Sequence, residues 1–309
     1  MIYTLSIAPS IDYTLDLQDK ELRVGGVNRP LSKGFSIGGK GITVSRMLSN
    51  LKIKSTPIVA VGGENGKTIQ KMIDKEFDHA IYLDTETDSR IDVMITGPSQ
   101  DIRFDPAAPK IKDSELKKMF DFFKNDLKDG DILVLAGSLG QEDKKLYGQI
   151  IKECVSNKNI KVIVDSVDDA LKNALSYHPF MIKPNQEELG DLSGKALTTK
   201  EDIINAALEL KKHGPKSILV TLGKDGAYYF AENNSIYACN CATGTQISAV
   251  GAGDSSIAGF IKGLEENKSI EECLIYSMAS GGATAFSEYL GSYSLFEELQ
   301  KQIKVTKIA

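Results

Sequence analysis

Apolar residues in the second two thirds of the chain alternate between short continuous runs and stretches with helical spacing. A run that is apolar at every position is typical of a parallel strand buried on both faces, and the intervening stretches indicate covering helices. The pattern therefore predicts an α/β fold: a three-layer α/β/α sandwich with a mostly parallel central sheet. The runs are 132–136, 162–164, 180–182 and 218–220, and the helical stretches lie near 116–127, 142–157 and 199–213.

The first third of the chain has a different pattern. Segments 11–33 and 88–105 are short, mixed in polarity and β-prone, with Tyr13, Leu15 and Leu17 alternating, and each interrupts α/β-type sequence. We expect them to form one small β-sheet lid beside a single domain that spans 1–309. Two unrelated surface hairpins fit the same pattern equally well.

Composition narrows the class of protein. The chain has 309 residues, 41% hydrophobic, with a net charge of -5, so a broad basic surface for nucleic acid is not expected. We expect no membrane span, because no apolar run approaches the roughly 18 residues that crossing requires. The N-terminus reads as a strand, not a signal peptide, which predicts a cytoplasmic protein. The four cysteines lack zinc-type spacing, and the scattered histidines give no support for a Ser-His-Asp hydrolase.

The motif Gly251-Ala252-Gly253-Asp254 carries the strongest chemical signal. A β-prone run leads into it, and apolar residues at helical spacing follow it. A helix that begins here presents unpaired amides to an anion and holds a carboxylate on its first turn. This suits a reaction in which a hydroxyl loses its proton while a phosphoryl group arrives. A glycine turn with Asp254 as an ordinary capping residue is the alternative.

A second glycine cluster, residues 34–41, nearly matches a Walker A loop. Gly41 stands where Ser or Thr must bind magnesium, so we interpret the cluster differently. A helix opening after Gly39 would let a polyhydroxy ligand approach the bare backbone, and Lys40 would reach an anion. A tight turn before a helix explains the glycines but not the lysine.

Two further junctions follow predicted strands. Asn185 and Glu188 are three residues apart, which suits hydrated Mg²⁺ held mainly by phosphates. A capping box made by the same two residues is the favoured alternative. Gly223 and Gly226 form a turn that suits either a nucleotide or a hairpin.

Taken together, these motifs resemble the PfkB (ribokinase-like) carbohydrate kinase family over essentially the whole chain. Within the family the sequence is most similar to the ketohexose-phosphate branch, which contains 1-phosphofructokinase, tagatose-6-phosphate kinase and the minor 6-phosphofructokinase. Departures at Thr43, Gly140 and Ser248-Ala249 leave the choice of sugar open. The motifs that carry the resemblance are 38–42, 137–139, 164–166, 183–185, 221–223 and 249–255.

The resemblance implies a role for each matching residue. Asp254 would be the base, and the amides of Gly251, Ala252 and Gly253 would form the anion hole. The sugar hydroxyls would be held by Asp12, Gly39 and Thr43. The phosphate already on the sugar would be held by Arg90, Ser138 and Lys40, with Arg29 reaching in from a neighbouring subunit. The nucleotide would lie near Lys183, Thr221, Gly223 and Gly226, and Asn185 and Glu188 would organise Mg²⁺ and the ATP phosphates.

The function implied is transfer of the γ-phosphoryl of ATP to a phosphorylated ketohexose, giving a bisphosphate. ATP and Mg²⁺ are the expected cofactors, and dependence on a monovalent cation stays open. A homodimer formed through the lid sheet is the expected assembly. The alternatives are a 6-phosphofructokinase-type activity, a kinase of unphosphorylated sugars or nucleosides, and a non-catalytic sugar-phosphate sensor. A sensor has no use for the base Asp254.

Overall fold

A computed structural model describes residues 1–18, 21–98 and 101–309, which form one large sheet, one small sheet and the surrounding helices. The strands are β1 (Ile2–Ser6), β2 (Ser10–Asp16), β3 (Leu31–Gly38), β4 (Thr56–Val61), β5 (Ile81–Asp84), β6 (Arg90–Thr96), β7 (Ile102–Phe104), β8 (Ile132–Ala136), β9 (Lys161–Asp165), β10 (Met181–Ile182), β11 (Ser217–Thr221), β12 (Ala227–Phe230), β13 (Ile236–Cys239) and β14 (Val305–Lys307). The helices are α1 (Lys40–Asn50), α2 (Gly63–Ile73), α3 (Asp113–Asn125), α4 (Leu146–Ile150), α5 (Asp168–Leu175), α6 (Gln186–Ser193), α7 (Lys200–Lys211), α8 (Ala252–Glu265), α9 (Ile270–Ala285) and α10 (Tyr293–Gln300).

The large sheet has the strand order β14-β13-β12-β11-β10-β9-β8-β1-β4-β5. Its strands from β5 to β11 are parallel, and β12, β13 and β14 extend it in antiparallel fashion. The mostly parallel sheet predicted from the apolar runs is therefore confirmed. Of the predicted helix near 142–157, α4 forms one part, and a π-helical turn continues it over Ile151–Val155.

Strand β8 shows why its sequence is apolar at every position. Leu133 and Leu135 face one core layer, together with α3, α4 and α7. Val134 and Ala136 face the other layer, together with α1, α8 and α9. Because both faces are covered by helices, side chains on either side of the strand are buried. The α/β/α sandwich follows directly from this two-sided burial.

The small sheet has the strand order β3-β2-β6-β7. Strands β2 and β6 pair in parallel over seven residues, so the two predicted lid segments form one sheet. The alternative of two unrelated hairpins is wrong. Residues 19–20 and 99–100 of those segments lie outside the described residues. Within the part of the chain that the structure describes, no helix is long and apolar enough to cross a membrane.

Candidate active site

A cavity of about 930 Å³ lies between the small sheet and the starts of helices α1 and α8. Parallel α/β sheets place their ligand sites at the carboxyl ends of the strands, where loops lead into helices. Both glycine motifs singled out in the sequence meet at this cavity. Its lining includes Asp12, Gly39, Lys40, Thr43, Gly251 and Asp254.

Two helix N-termini converge on the cavity. Gly39 and Gly251 are the N-cap residues of α1 and α8, and both have a positive φ, 131° and 79°. The starts of α1 and α8 are close together. A Cβ placed on Gly251 would lie only 3.2 Å from the methyl carbon of Thr43 on α1. A side chain at Gly251 would meet both backbone strain and this contact. Two N-termini facing one space make it favourable for anions.

The carboxylate of Asp254 lies on the first turn of α8 and is 8% exposed. Burial and, after it, the neighbouring charge of Asp165 raise the pKa of Asp254 to about 7, against the opposing effect of Lys40 and Lys183. A carboxyl group with a pKa near the working pH is well suited to take a proton from a hydroxyl. Asp254 is therefore a candidate general base.

Asp165 connects two lysines beneath the cavity. Lys183 Nζ lies 3.3 Å from Asp165 Oδ1, and Lys40 Nζ lies 3.3 Å from Asp165 Oδ2. Although burial opposes the charged form, the two ammonium groups lower the pKa of Asp165. Burial also disfavours the charge on Lys40, but nearby carboxylates led by Asp165 outweigh it and raise the pKa of Lys40. The site therefore holds two fixed positive charges.

Lys183 lies directly beside the first turn of α8. Its Nζ atom would be 3.1 Å from a Cβ placed on Gly253. The ammonium group therefore lies next to the amides predicted to form the anion hole. The amide of Ala252 makes only a long turn hydrogen bond, 3.3 Å to the carbonyl oxygen of Ala249. Amides and a buried cation together favour the charge that develops during phosphoryl transfer.

The small sheet contributes a row of polar side chains. Asp12 on β2 pairs in register with Ser36 on β3 and with Asp92 on β6, so the three side chains share one face. Burial raises the pKa of Asp12; Ser10 opposes the shift by hydrogen bonding, and the charge of Asp92 adds to it. A Cβ at Gly38 would lie 2.5 Å from both carboxylate oxygens of Asp12. Glycine at 38 keeps that carboxylate accessible.

The residues predicted to hold the sugar's phosphate lie in different settings. Arg90 donates to the carbonyl oxygens of Pro106 (3.0 Å) and Ala8 (3.1 Å) and forms an ion pair with Asp105. Ser138 is exposed, and its hydroxyl accepts a hydrogen bond from the amide of Gly140. Arg29 is exposed, in the segment before β3. The structure does not bring Arg29, Arg90 or Ser138 into the cavity lining, whereas Arg103 on β7 is part of it.

The predicted nucleotide residues cluster at two strand ends beyond Lys183. Asn185 and Glu188 form a complete capping box at the start of α6, with both hydrogen bonds at 2.8 Å. Gly223 and Gly226 have positive φ angles and form the turn of the β11–β12 hairpin. The capping box and the hairpin turn, which were the structural alternatives to a ligand site at these positions, are therefore both present. Thr221 is the last residue of β11, and its amide donates a hydrogen bond to the carbonyl oxygen of Pro184. This bond holds the segment after β10 next to the end of β11.

A Mg²⁺ ion fits this site only as a partner of bound phosphates. Among the described residues, no group of three or more His, Cys, Asp or Glu side chains is placed to hold a metal. The capping box uses Asn185 Oδ1 and one oxygen of Glu188, yet the charge of Glu188 still acts on Lys40. One carboxylate with water and phosphate oxygens is the donor set that Mg²⁺ commonly takes.

Sequence reasoning gave no role to two carboxylates and one arginine of the site. Asp165 is visible in the sequence as the carboxylate that ends a buried strand, a position where ligand sites form. Asp92 and Arg103 have no such signal. They reach the cavity because β6 and β7 pair beside β2, which the local pattern does not encode.

A candidate base, a helix start that favours anions, the buried Lys183 and the partly exposed Lys40 are the parts that a phosphotransferase site requires, and they lie in a ribokinase-like fold. A family model described as pfkB family carbohydrate kinase matches residues 7–295. The chain therefore belongs to the pfkB family of carbohydrate kinases and is a phosphotransferase with an alcohol group as acceptor. Membership in this family implies ATP as the phosphoryl donor.

Similar proteins include two curated relatives that match over their full length. A 1-phosphofructokinase of Bacillus subtilis (strain 168) is 35% identical over 309 residues, 100% of both chains. A D-tagatose-1-phosphate kinase of Bacillus licheniformis is 29% identical over 309 residues, again 100% of both chains. Phosphofructokinase-2 from Escherichia coli, solved in complex with fructose-6-phosphate, is 27% identical with a TM-score of 0.88, covering 97% of this chain and 98% of that chain. That enzyme has also been solved with potassium and as a tetrameric inhibited form.

Proposed function

We propose that this protein transfers the γ-phosphoryl group of ATP to the C6 hydroxyl of a ketohexose 1-phosphate, giving a ketohexose 1,6-bisphosphate. The observation that carries the chemistry is Asp254, a buried carboxyl group with its pKa raised to about 7 on the first turn of α8. The substrate class rests on the two relatives, one a 1-phosphofructokinase and the other a D-tagatose-1-phosphate kinase.

Asp254 takes the proton of the acceptor hydroxyl as that oxygen attacks the γ-phosphorus, and the bond from the γ-phosphorus to the bridging oxygen breaks to release ADP. The amides of Gly251, Ala252 and Gly253 and the ammonium groups of Lys183 and Lys40 stabilise negative charge on the transferring group. Asp165 holds both lysines in place, since each lies 3.3 Å from it. Because phosphoryl transfer depends mostly on positioning and charge neutralisation, these fixed charges are the main contribution of the protein.

ATP binds across the ends of β10 and β11, beside Lys183, Asn185, Thr221, Gly223 and Gly226. The capping box fixes Asn185 and Glu188 at the entry to α6, which supports this placement. Bound Mg²⁺, held through water and phosphates near Asn185 and Glu188, would neutralise charge on the ATP phosphates.

The sugar binds between the small sheet and α1, with its hydroxyls on Asp12, Gly39 and Thr43. Its existing phosphate lies toward Arg90 and Ser138, which are not part of the cavity lining, and Arg29 of a second copy completes that pocket. We treat the chain as a single kinase domain, 1–309, in which the small sheet closes over the sugar as a lid. Closure would keep water from taking the phosphoryl group.

A homodimer formed through the small sheet is part of this proposal. The face opposite the Asp12 row carries Phe35, Tyr13, Val93 and Phe104 as cross-strand neighbours, and Phe35 and Phe104 are each more than half exposed. Exposed apolar rows of this kind mark contact surfaces. We place the enzyme in the cytoplasm, where ATP is available.

One specific observation favours a second acceptor. Phosphofructokinase-2 from Escherichia coli, which has a TM-score of 0.88 to this chain, was solved with fructose-6-phosphate. A 6-phosphofructokinase-type activity is therefore the second candidate function, in which the C1 hydroxyl is the acceptor.

A substrate panel tests the proposal. Purified protein is incubated with ATP and Mg²⁺, and ADP release is measured with fructose 1-phosphate, tagatose 1-phosphate, tagatose 6-phosphate, fructose 6-phosphate, fructose and ribose. We expect the highest kcat/KM with a ketohexose 1-phosphate, and ³¹P NMR of the product should show phosphate on C1 and C6. Preference for fructose 6-phosphate would establish the second candidate instead, and turnover of free sugars alone would contradict both. Repeating the assay without K⁺ measures any dependence on a monovalent cation.

A further inference from the structure

The inner face of the small sheet holds a carboxylate that the proposed reaction does not use. Asp92 lies at the centre of the sheet on β6, is only 3% exposed, and lines the cavity. Neither of its carboxylate oxygens has a hydrogen-bond partner among the described residues. A buried polar group without a partner is costly, so an unbonded carboxylate facing a cavity indicates a ligand that supplies the donors.

The charged groups around Asp92 do not satisfy its oxygens. Arg90 Nη1 lies 3.3 Å from Oδ1 without hydrogen-bonding geometry, and Arg103 Nη2 lies 3.6 Å from Oδ2. The guanidinium of Arg90 is instead bonded to two backbone carbonyl oxygens. The arginines balance the charge of Asp92 electrostatically while its lone pairs stay available to a ligand in the cavity.

The partner that suits Asp92 is a neutral polyol. Asp12 is its register partner on β2, so two acceptors stand on adjacent strands about 5 Å apart at the backbone. Two carboxylates side by side repel a phosphate group, but they accept hydrogen bonds from two hydroxyls of one sugar chain. Charge-assisted hydrogen bonds of this type are stronger than neutral ones.

We propose that Asp92 is a specificity-determining residue that accepts a hydrogen bond from a hydroxyl on C3 or C4 of the sugar, next to the hydroxyl held by Asp12. This inference rests on the proposed function and extends it. The two carboxylates would then recognise the unphosphorylated middle of the ketohexose, and the configuration at those carbons would decide which sugar is accepted.

The test compares substrates that lack one hydroxyl. The wild type and D92A are assayed with fructose 1-phosphate and with its 3-deoxy and 4-deoxy analogues. Losing a hydrogen bond to a charged group should lower kcat/KM of the wild type about tenfold to hundredfold for one of the two analogues. In D92A the same analogue should be used nearly as well as the parent sugar, because the contact is already gone.

A comparison variant separates contact from a structural role. D105N removes another carboxylate that pairs with Arg90, and Asp105 lies outside the cavity lining. We expect D105N to keep the wild-type discrimination between the parent and deoxy sugars. If D105N loses it as D92A does, orientation of Arg90 explains the effect and the direct contact is refuted.

The remaining outcomes are also decisive. If D92A lowers activity equally for all three sugars, or not at all, Asp92 does not touch the substrate. If D92A fails to fold, D92N replaces it. D92N keeps an acceptor oxygen but loses the charge, so it should show intermediate discrimination, and full wild-type discrimination would refute the inference. A wild type that phosphorylates no ketohexose phosphate would refute the proposed function itself, which the first measurement shows separately.

Discussion

Replacing Asp254 with asparagine should make the protein less active and, at neutral pH, more stable. Asn keeps the shape of the side chain but carries no charge and does not titrate. The carboxyl group is 8% exposed and its pKa is raised from 3.8 to about 7, so its charged form is unfavourable in the folded chain. The variant removes that unfavourable charge and, with it, the proposed base.

The sign and size of the stability effect follow from the direction of the pKa shift. The folded chain holds the Asp254 proton more tightly than the unfolded chain does. The protonated group therefore adds to the free energy of unfolding at low pH, and this stabilisation is lost as pH rises through about 7. One pKa unit corresponds to about 1.4 kcal/mol. The free energy of unfolding of the variant, relative to wild type, should therefore grow by about 1.4 kcal/mol per pH unit between pH 4 and 7. Above pH 7 the difference should level off.

Thermal unfolding of both proteins without ligands, at pH 4.5 to 8.5, measures this difference. About 3–4 kcal/mol accumulated between pH 4.5 and pH 7 corresponds to a gain in Tm of about 7 °C for D254N. The surface variant D78N, at a carboxylate that is 82% exposed, serves as the control for removing one negative charge. A Tm difference that does not change with pH would show that Asp254 is not a desolvated carboxyl group.

Activity gives the second readout. Loss of the base should lower kcat by about 10²–10⁴-fold, while ATP binding stays unchanged. For the wild type, kcat/KM should rise with pH to a plateau, with an apparent pKa near 7, because only the ionised carboxylate accepts the proton. Near-full activity of D254N would refute the assignment of the base.

Three further substitutions test the site around Asp254. G38A should raise the KM for the sugar phosphate without changing the KM for ATP, because its Cβ would lie 2.5 Å from the Asp12 oxygens; equal effects on both substrates would contradict this. G251A should lower the free energy of unfolding by about 1–2 kcal/mol, because position 251 has a positive φ, and it should also lower kcat. The matched control G194A has a similar φ but open space around it, so it should lower the stability without changing kcat. K183M should destabilise the chain by about 1–3 kcal/mol in chemical denaturation, because it leaves the buried Asp165 with Lys40 as its remaining lysine partner. An unchanged unfolding midpoint would contradict this.

The elements of the large sheet were predictable because their signals are local. Strand β8 is apolar at every position, and a strand buried on both faces needs that composition. The start of α8 was predictable for a similar reason: small residues precede a carboxylate and a helical apolar pattern. These patterns involve neighbours in sequence, and the structure confirms the elements they predicted.

The local sequence pattern did not decide between two roles for one pair of residues. The spacing of Asn185 and Glu188 fits a capping box and a magnesium site, and the structure contains the capping box. Their role toward Mg²⁺ stays a prediction. The same holds for Arg90, since a lone arginine in the sequence gives no sign that two backbone carbonyl oxygens will accept from it.

By itself, then, the sequence determined the alternation of strands and helices, the two glycine-led helix starts and the carboxylate that follows one of them. Only the tertiary structure decided the electrostatics of the site. Lys40 and Asp165 are 125 residues apart in the chain, yet they meet because α1, which begins at Lys40, packs on β8, and β8 pairs with β9, which ends at Asp165. Likewise, Asp12 faces Asp92 only through the register of β2 with β6. Burial and charge pairing set the pKa of Asp254, and both depend on distances that arise when the chain folds.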